Sequence, residues 1–156
     1  HMTMIGKLND AEIEDVISSQ VVGRIGCHHD GFTYVVPISY AYDGENIYGI
    51  TREGMKLDIM RKNPKVCFEV EDMKSMSNWR TVISWGIFEE IVNTPRRDKA
   101  LELLLNRVLP LDSSKTTHIS PEWPFPPEKL SSIEGVVFRI FLTDKTGRFE
   151  RESVTK

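Results

Sequence analysis

Two Asp-Gly dipeptides constrain this chain more than any other feature. Asp30-Gly31 and Asp43-Gly44 separate three runs rich in β-branched and aromatic residues: Val21 to Cys27, Phe32 to Tyr42 and Asn46 to Thr51. Asp-Gly readily takes the positive backbone angles of a two-residue hairpin turn. The spacing therefore predicts three antiparallel strands in a meander. Parallel neighbours need crossovers of about a dozen residues or more, and these gaps leave no room for one.

The flanking segments add helices and further strands. Asn9-Asp10-Ala11-Glu12 has the pattern of a capping box, followed by Ile13, Val16 and Ile17 on one helical face. Gly54 to Arg61 reads as a second short helix with Met55, Ile59 and Met60 on its apolar side, stopped by Asn63-Pro64. Val66 to Val70 is a strand. Trp79 to Val92 is a long or bent one, with Gly86 as a candidate bulge. Thr94-Pro95 suits an N-cap followed by the first helical residue, and that helix runs to about Arg107 with Ala100, Leu101, Leu104 and Leu105 on one side. Leu109 to Lys129 holds five of the eight prolines and is read as a lid or a disordered loop. The final strand is Gly135 to Leu142. Six mostly antiparallel strands with helices at the gaps fit a small closed barrel, mainly β with peripheral α. The expected organisation is one domain over residues 3–150, a cloning remnant at His1-Met2 and a charged tail at 151–156.

Composition narrows the function classes. A chain of 156 residues suits one domain. At this size roughly 70% of the unfolded surface can be buried, enough for a real core. A formal charge of −3 speaks against a nucleic-acid face. No apolar run approaches the ~20 residues of a membrane span, and no charged-then-apolar leader is present, so a cytoplasmic location is expected. Cys27 and Cys67 have neither disulfide-framework nor metal-ligand spacing, and read as small buried thiols in a reduced compartment. His28-His29 sit at a hairpin tip, where adjacent side chains face opposite ways, so no metal site is expected there.

Four segments carry candidate chemistry. Thr51-Arg52-Glu53-Gly54-Met55-Lys56 marks a strand end passing into a helix N-terminus, where free amides, a hydroxyl and an ammonium suit a phosphate. The same residues also describe an ordinary capped surface helix. Val35-Val36-Pro37-Ile38-Ser39-Tyr40 puts a proline in a strand, which belongs at an edge or bulge; its free backbone groups suit the edge of a heterocycle, and a plain edge strand is the alternative. Trp79-Arg80-Thr81-Val82 offers a guanidinium fork suited to phosphate, or simply an Arg on a solvated face. His118, followed by Trp123 and Phe125, is a candidate proton donor or lid contact, and otherwise a surface residue. Glu69, Glu71, Asp72, Glu89 and Glu90 form no spacing that demands catalysis. No Gly-x-Gly-x-x-Gly after a strand, P-loop or Gly-x-Ser-x-Gly elbow occurs.

In combination and order, these segments resemble the pyridoxamine 5′-phosphate oxidase-like family, nearest its nitroimidazole-resistance flavoprotein branch. The resemblance runs from Val21 to about Phe141. It is carried by Val35 to Gly44, Ile47 to Lys56, Arg61-Lys62-Asn63-Pro64-Lys65-Val66-Cys67-Phe68-Glu69-Val70 and Trp79 to Val82. It implies a six-stranded antiparallel split barrel of FMN-binding type, working as a homodimer with FMN sites at the interface. By position, Thr51, Met55 and Lys56 would hold the phosphate, Val36, Pro37, Ile38 and Ser39 would line the ring, and Arg80 and Thr81 would approach it. Members of the branch often carry His before the phosphate-motif Thr; here the residue is Ile50. The final strand has Arg139 but lacks the His with which true pyridoxamine-phosphate oxidases grip substrate, which argues against vitamin B6 oxidation. The expected function is a flavin-dependent oxidoreductase acting on a small planar substrate. The alternatives are a non-catalytic flavin-binding or sensing module, or the same barrel holding heme or a deazaflavin.

Overall fold

The computed structural model describes residues 2–107 and 127–153. In chain order it contains β1 (Thr3–Lys7), α1 (Asp10–Ser19), β2 (Val22–His29), β3 (Phe32–Ser39), β4 (Ala41–Tyr42) and β5 (Asn46–Thr51). Then come α2 (Met55–Lys62), β6 (Lys65–Ser75), β7 (Asn78–Glu90), α3 (Thr94–Asn106), a 3-10 turn (Pro127–Ser132) and β8 (Val136–Glu152). All strand pairings are antiparallel. The sheet order is β3-β2-β6-β7-β8-β5-β4, with β1 added to β8.

Of the expected meander only the first hairpin, β2–β3, is present as such, and its turn has the expected chemistry; β5 pairs with the two-residue β4 and with β8, five places from β3 in the sheet order. Asp30 and Gly31 both have positive φ, 51° and 77°, as a type I′ hairpin turn requires. Asn9 caps α1 through a complete capping box, its side chain accepting from the Glu12 amide while the Glu12 carboxylate accepts from the Asn9 amide. Ile13, Val16 and Ile17 are the buried face of that helix. At Gly86 the β7–β8 register shifts, and a Cβ there would lie 2.4 Å from the Phe141 carbonyl oxygen. A bulge residue this close to a neighbouring backbone has to be glycine.

Several boundaries differ from expectation. The fold is mainly β as expected, but with eight strands in a curled sheet that does not close. The first strand, β1, has exposed side chains at four of its five positions and so no burial alternation to announce it. The run Phe32 to Tyr42 is two strands, broken at Tyr40. The final strand does not stop at Leu142: Gly147 and Phe149 still face inward between exposed polar residues, so the ladder continues and takes in Arg151 and Glu152 of the expected tail. β6 likewise extends to Ser75. The N-cap of α3 is Asn93, whose side chain accepts from the Arg96 amide, with Thr94 already helical. The prolines of the expected loop up to 126 lie outside the described residues, as does His118.

The main core fills the curl of the sheet, with Ile25, Phe68, Val82, Phe138 and Ile140 at zero exposure. α1 closes one side with Val16 and Ile17, and α2 another with Leu57 and Met60. A second cluster under α3 joins Ala100 and Leu101 to Ile91, Ile133 and Val137.

Candidate functional site

Two of the candidate segments meet on β2. The α2 helix follows β5 directly yet packs against β2, which lies between β3 and β6 in the sheet. Lys56, in the first turn of α2, interacts electrostatically with Cys27 of β2. Cys27 pairs with Tyr34, and two residues back Ile25 pairs with Val36. The strand–helix junction 51–56 and the proline-bearing strand are thus assembled on one element.

The junction is built to leave donors free. The first turn of any α-helix carries amides with no intrahelical acceptor. At α2 the N-cap is Gly54, which supplies no side-chain acceptor for them. A Cβ on Gly54 would meet nothing within 4 Å, so the space beside that residue is open. Thr51 is half-buried, its hydroxyl donating weakly to the Arg52 carbonyl at 3.3 Å. Met55 is exposed. The Lys56 ammonium finds neither a carboxylate nor a hydrogen-bond acceptor among the described residues. Burial pushes its proton affinity below the ordinary lysine range, with only the Cys27 thiol opposing that shift. A half-buried cation beside uncapped helical amides has the electrostatics to attract an anion.

On β3 the period of two divides the candidate residues. Ile38 is buried in the core and Val36 packs against it, whereas Pro37 is exposed. β3 ends the sheet order, as a proline-bearing strand should. Ser39, on the same face as Pro37, carries a buried hydroxyl that finds no hydrogen-bond partner among the described residues. Buried hydroxyls are normally satisfied, so this one is available to a ligand. The outer face continues from Val35 across Cys67 to Trp85, which are in register through Gly26. Ile83, Ile87 and Phe141 extend it, and all of these but Cys67 are exposed. A groove of about 530 Å³ runs along it between Val35, Cys67 and Trp85. Cys67 is consequently half-buried, while Cys27 is buried as expected and its thiol is pushed up chiefly by that burial.

Arg80 and Thr81 are adjacent on β7 and face opposite ways. Arg80 donates to Asp15 of α1 at 2.8 Å and to Asp72 of β6 at 2.7 Å, with its guanidinium held protonated by Asp72 first and Asp15 second. It thereby ties α1 to the sheet and is not brought to the α2 junction within this chain. Thr81 donates to Glu69 at 3.1 Å, which also pairs with Arg24 on the outer face. The sequence singled out Ser39 but did not reveal that its hydroxyl is unmet, and it gave Arg61 no role. Arg61 makes a double fork to Glu53, in the turn before α2, and to Glu90, at the end of β7. Its partners stand 8 and 29 residues away, so no local pattern exposes them. Among the described residues no group of three or more His, Cys, Asp and Glu is placed to hold a metal ion, and no helix is long and apolar enough to cross a membrane.

Residues 9–149 match the family model described as pyridoxamine 5′-phosphate oxidase. An uncharacterized protein of Rhizobium meliloti (strain 1021) is 34% identical over 83 residues, which are 53% of this chain and 55% of that protein. The chain therefore spans about half the length of that curated relative. Among solved structures, an FAD-binding protein of Mesorhizobium loti is 29% identical with a TM-score of 0.73, covering 94% of this chain and 98% of its own. A candidate 5-nitroimidazole antibiotic resistance protein of Bacteroides thetaiotaomicron is 16% identical with a TM-score of 0.70, covering 98% and 93%. The FAD-binding protein of Mycobacterium smegmatis is 21% identical with a TM-score of 0.66, covering 95% and 100%. The last two likenesses are of fold alone.

Proposed function

Because this chain belongs to the pyridoxamine 5′-phosphate oxidase family, we propose that it is a flavin-binding protein whose α2 junction holds the flavin phosphate. The observation that carries the proposal is Lys56, a half-buried ammonium without a partner among the described residues, set at a helix start with no side-chain cap. In this reading the Thr51 hydroxyl, the amides near Met55 and the Lys56 ammonium would hold the FMN phosphate. The residues that would line the flavin ring are Val36 to Ser39, with the backbone of Val36 and Ile38, the ring of Pro37 and the unmet Ser39 hydroxyl as the groups on offer. These residues fit the group: a cation without a counter-ion meets a dianion, and an orphaned hydroxyl meets a heterocycle edge. The FAD-binding protein of Mesorhizobium loti supports a flavin as the ligand class; the choice of FMN rests on the single phosphate cluster at 51–56.

A bound flavin would supply the redox chemistry, leaving the chain to bind, orient and exclude water. The activity that fits is electron transfer from a nicotinamide cofactor to a small planar acceptor such as a nitro compound. It needs no dedicated acid or base. The exposed apolar face around Trp85 is the surface on which a second copy would complete the site, making the working form a homodimer.

The test is a visible absorption titration with FMN, followed by anaerobic NADH or NADPH. Bound flavin has oxidised bands near ~370 and ~450 nm. An enzyme should bleach and then reoxidise with a nitroaromatic acceptor; binding without bleaching leaves a sensing module. Failure to bind FMN, with a Soret band or deazaflavin spectrum instead, would replace the ligand. Sedimentation velocity checks the dimer: Trp85→Glu should shift it to monomer, and an unchanged sedimentation coefficient rejects this face as the interface.

A further inference from the structure

The turn that precedes α2 is not left to itself. Glu53 stands between Thr51 and Gly54, so its position sets the direction in which the amides at 54–56 point. Arg61, in the last turn of α2, reaches back to it with two hydrogen bonds, Nη1 to Oε2 at 2.6 Å and Nη2 to Oε1 at 2.9 Å. The same guanidinium grips Glu90 with Nη2 to Oε1 at 2.8 Å and Nε to Oε2 at 3.3 Å. Glu90 ends β7, a strand in the middle of the sheet. Glu53 is 64% exposed and the Arg61 and Glu90 side chains keep 34% and 32% of their surface, so none of the three is held there by burial in the core. Lone surface ion pairs contribute little to stability. Forked pairs in a network are geometrically specific.

We propose that Arg61 is a positioning residue for anion binding: it clamps the 52–54 turn to the rigid end of β7 and so pre-orients the free amides and Lys56 toward a phosphate. It acts through Glu53 and touches no ligand itself. The inference rests on the phosphate reading of the α2 junction. It has an electrostatic corollary. Two carboxylates stand close to a site meant for a dianion, and the guanidinium offsets one of their two negative charges. Consistent with that, Arg61 hydrogen bonding holds the Glu53 carboxyl below the ordinary carboxylate range. Pre-organisation of this kind raises affinity by lowering what must be ordered on binding.

The test compares FMN with riboflavin, which has the same ring without the phosphate, in the full chain by flavin-fluorescence titration. A positioning role predicts that Arg61→Gln weakens FMN roughly fivefold or more while riboflavin moves less than about twofold, since only the phosphate contacts depend on the clamp. Arg61→Lys, which keeps the charge but not the fork, should show at least half of that loss on a logarithmic scale. Full recovery in Arg61→Lys would mean that charge balance, not geometry, is the role, and would overturn the proposal. Equal loss of FMN and riboflavin would also overturn it, as would no loss of either. Should Arg61→Gln fail to fold, Glu53→Gln releases the same clamp from an exposed position and is judged by the same ratio. Lys56→Ala separates the two readings. If it binds FMN as the native chain does, the phosphate site itself is misplaced; if it loses FMN and Arg61→Gln does not, only the clamp falls.

Discussion

Replacing Lys56 by Met keeps the aliphatic stem and removes only the ammonium, so its consequences can be worked from the site. In the ligand-free chain the ammonium is half-buried, has no counter-ion among the described residues, and sits at the positive end of α2. A cation in that position is disfavoured by about 0.3–1 kcal/mol through the helix dipole alone. Lys56→Met should therefore leave the free protein as stable as before or slightly more so, a rise of up to about 4 °C in Tm for a chain of this size. Binding should move the other way. A hydrogen bond from a charged donor contributes roughly 1.5–3 kcal/mol, which is about 10- to 150-fold in the FMN Kd. Proton linkage gives a second signature. Because burial lowers the Lys56 pKa in the folded state, the unfolded chain binds more protons between the lowered and ordinary values. Stability from this group thus rises with pH through that window. FMN affinity falls over the same rise, as the native ammonium deprotonates. Lys56→Met should abolish both slopes. The assays are differential scanning calorimetry and FMN titration across alkaline pH. A variant that melts lower and binds FMN unchanged would refute the reasoning, because Lys56 would then be structural.

Two further substitutions test the scaffold under the site. Tyr40, 1% exposed where β3 breaks into β4, donates to the Ile17 carbonyl at 2.6 Å and packs edge-on against Phe68 with centroids 4.9 Å apart. Tyr40→Phe keeps the ring and strands a buried carbonyl at the end of α1, so urea unfolding should show a loss of about 1–3 kcal/mol; a change below about 0.5 kcal/mol would mean that water replaces the hydroxyl. Gly23→Ala would set a Cβ 2.3 Å from Phe68 Cζ and 2.9 Å from the Glu69 carbonyl oxygen, against a ring with zero exposure. Overpacking of this kind costs about 1–3 kcal/mol, so Tm should fall by several degrees, and an unchanged Tm would show that β2 and β6 can separate there.

Local chemistry made much of the fold legible. Asp30-Gly31, the Asn9–Glu12 box and the edge placement of Pro37 each follow from what a single residue type does to its own backbone. What escaped was long-range. β1 has no alternation of its own and exists because β8 offers it an edge, pairing Ile5 with Glu150 and Gly6 with Phe149. β8 continues past Leu142 through polar residues because two inward positions, Gly147 and Phe149, suffice to hold it on β7. The junction proposed for the phosphate was legible as a local pattern, since hydroxyl, glycine and lysine fall within six residues at a strand–helix boundary. The clamp on it was not. A double fork from Arg61 to two glutamates is a property of where β7 ends, and the spacing of the residues says nothing about it. Arg80 shows the converse: its type suits phosphate, yet Asp15 and Asp72 claim it for joining α1 to the sheet.

The topology explains why the two halves of the site meet. β3 and β5 stand near opposite ends of the sheet order, with five steps between them. In a flat sheet, the helix that follows β5 would lie far from β2 and β3. It packs on β2 only because the sheet curls until its ends approach, while Tyr40 links β3 to β4 across the remaining gap. The distance from Lys56 to the exposed side of Val36–Ser39 is then set by the curl, and the curl is set by side chains inside it such as Phe68 and Phe138. An overpacked Gly23, which forces β2 away from β6 beside Phe68, should accordingly disturb flavin affinity as well as stability. Lys56→Met should separate the two. That contrast, measured in the same FMN titration and the same melt, distinguishes residues that shape the cradle from the one that supplies its charge.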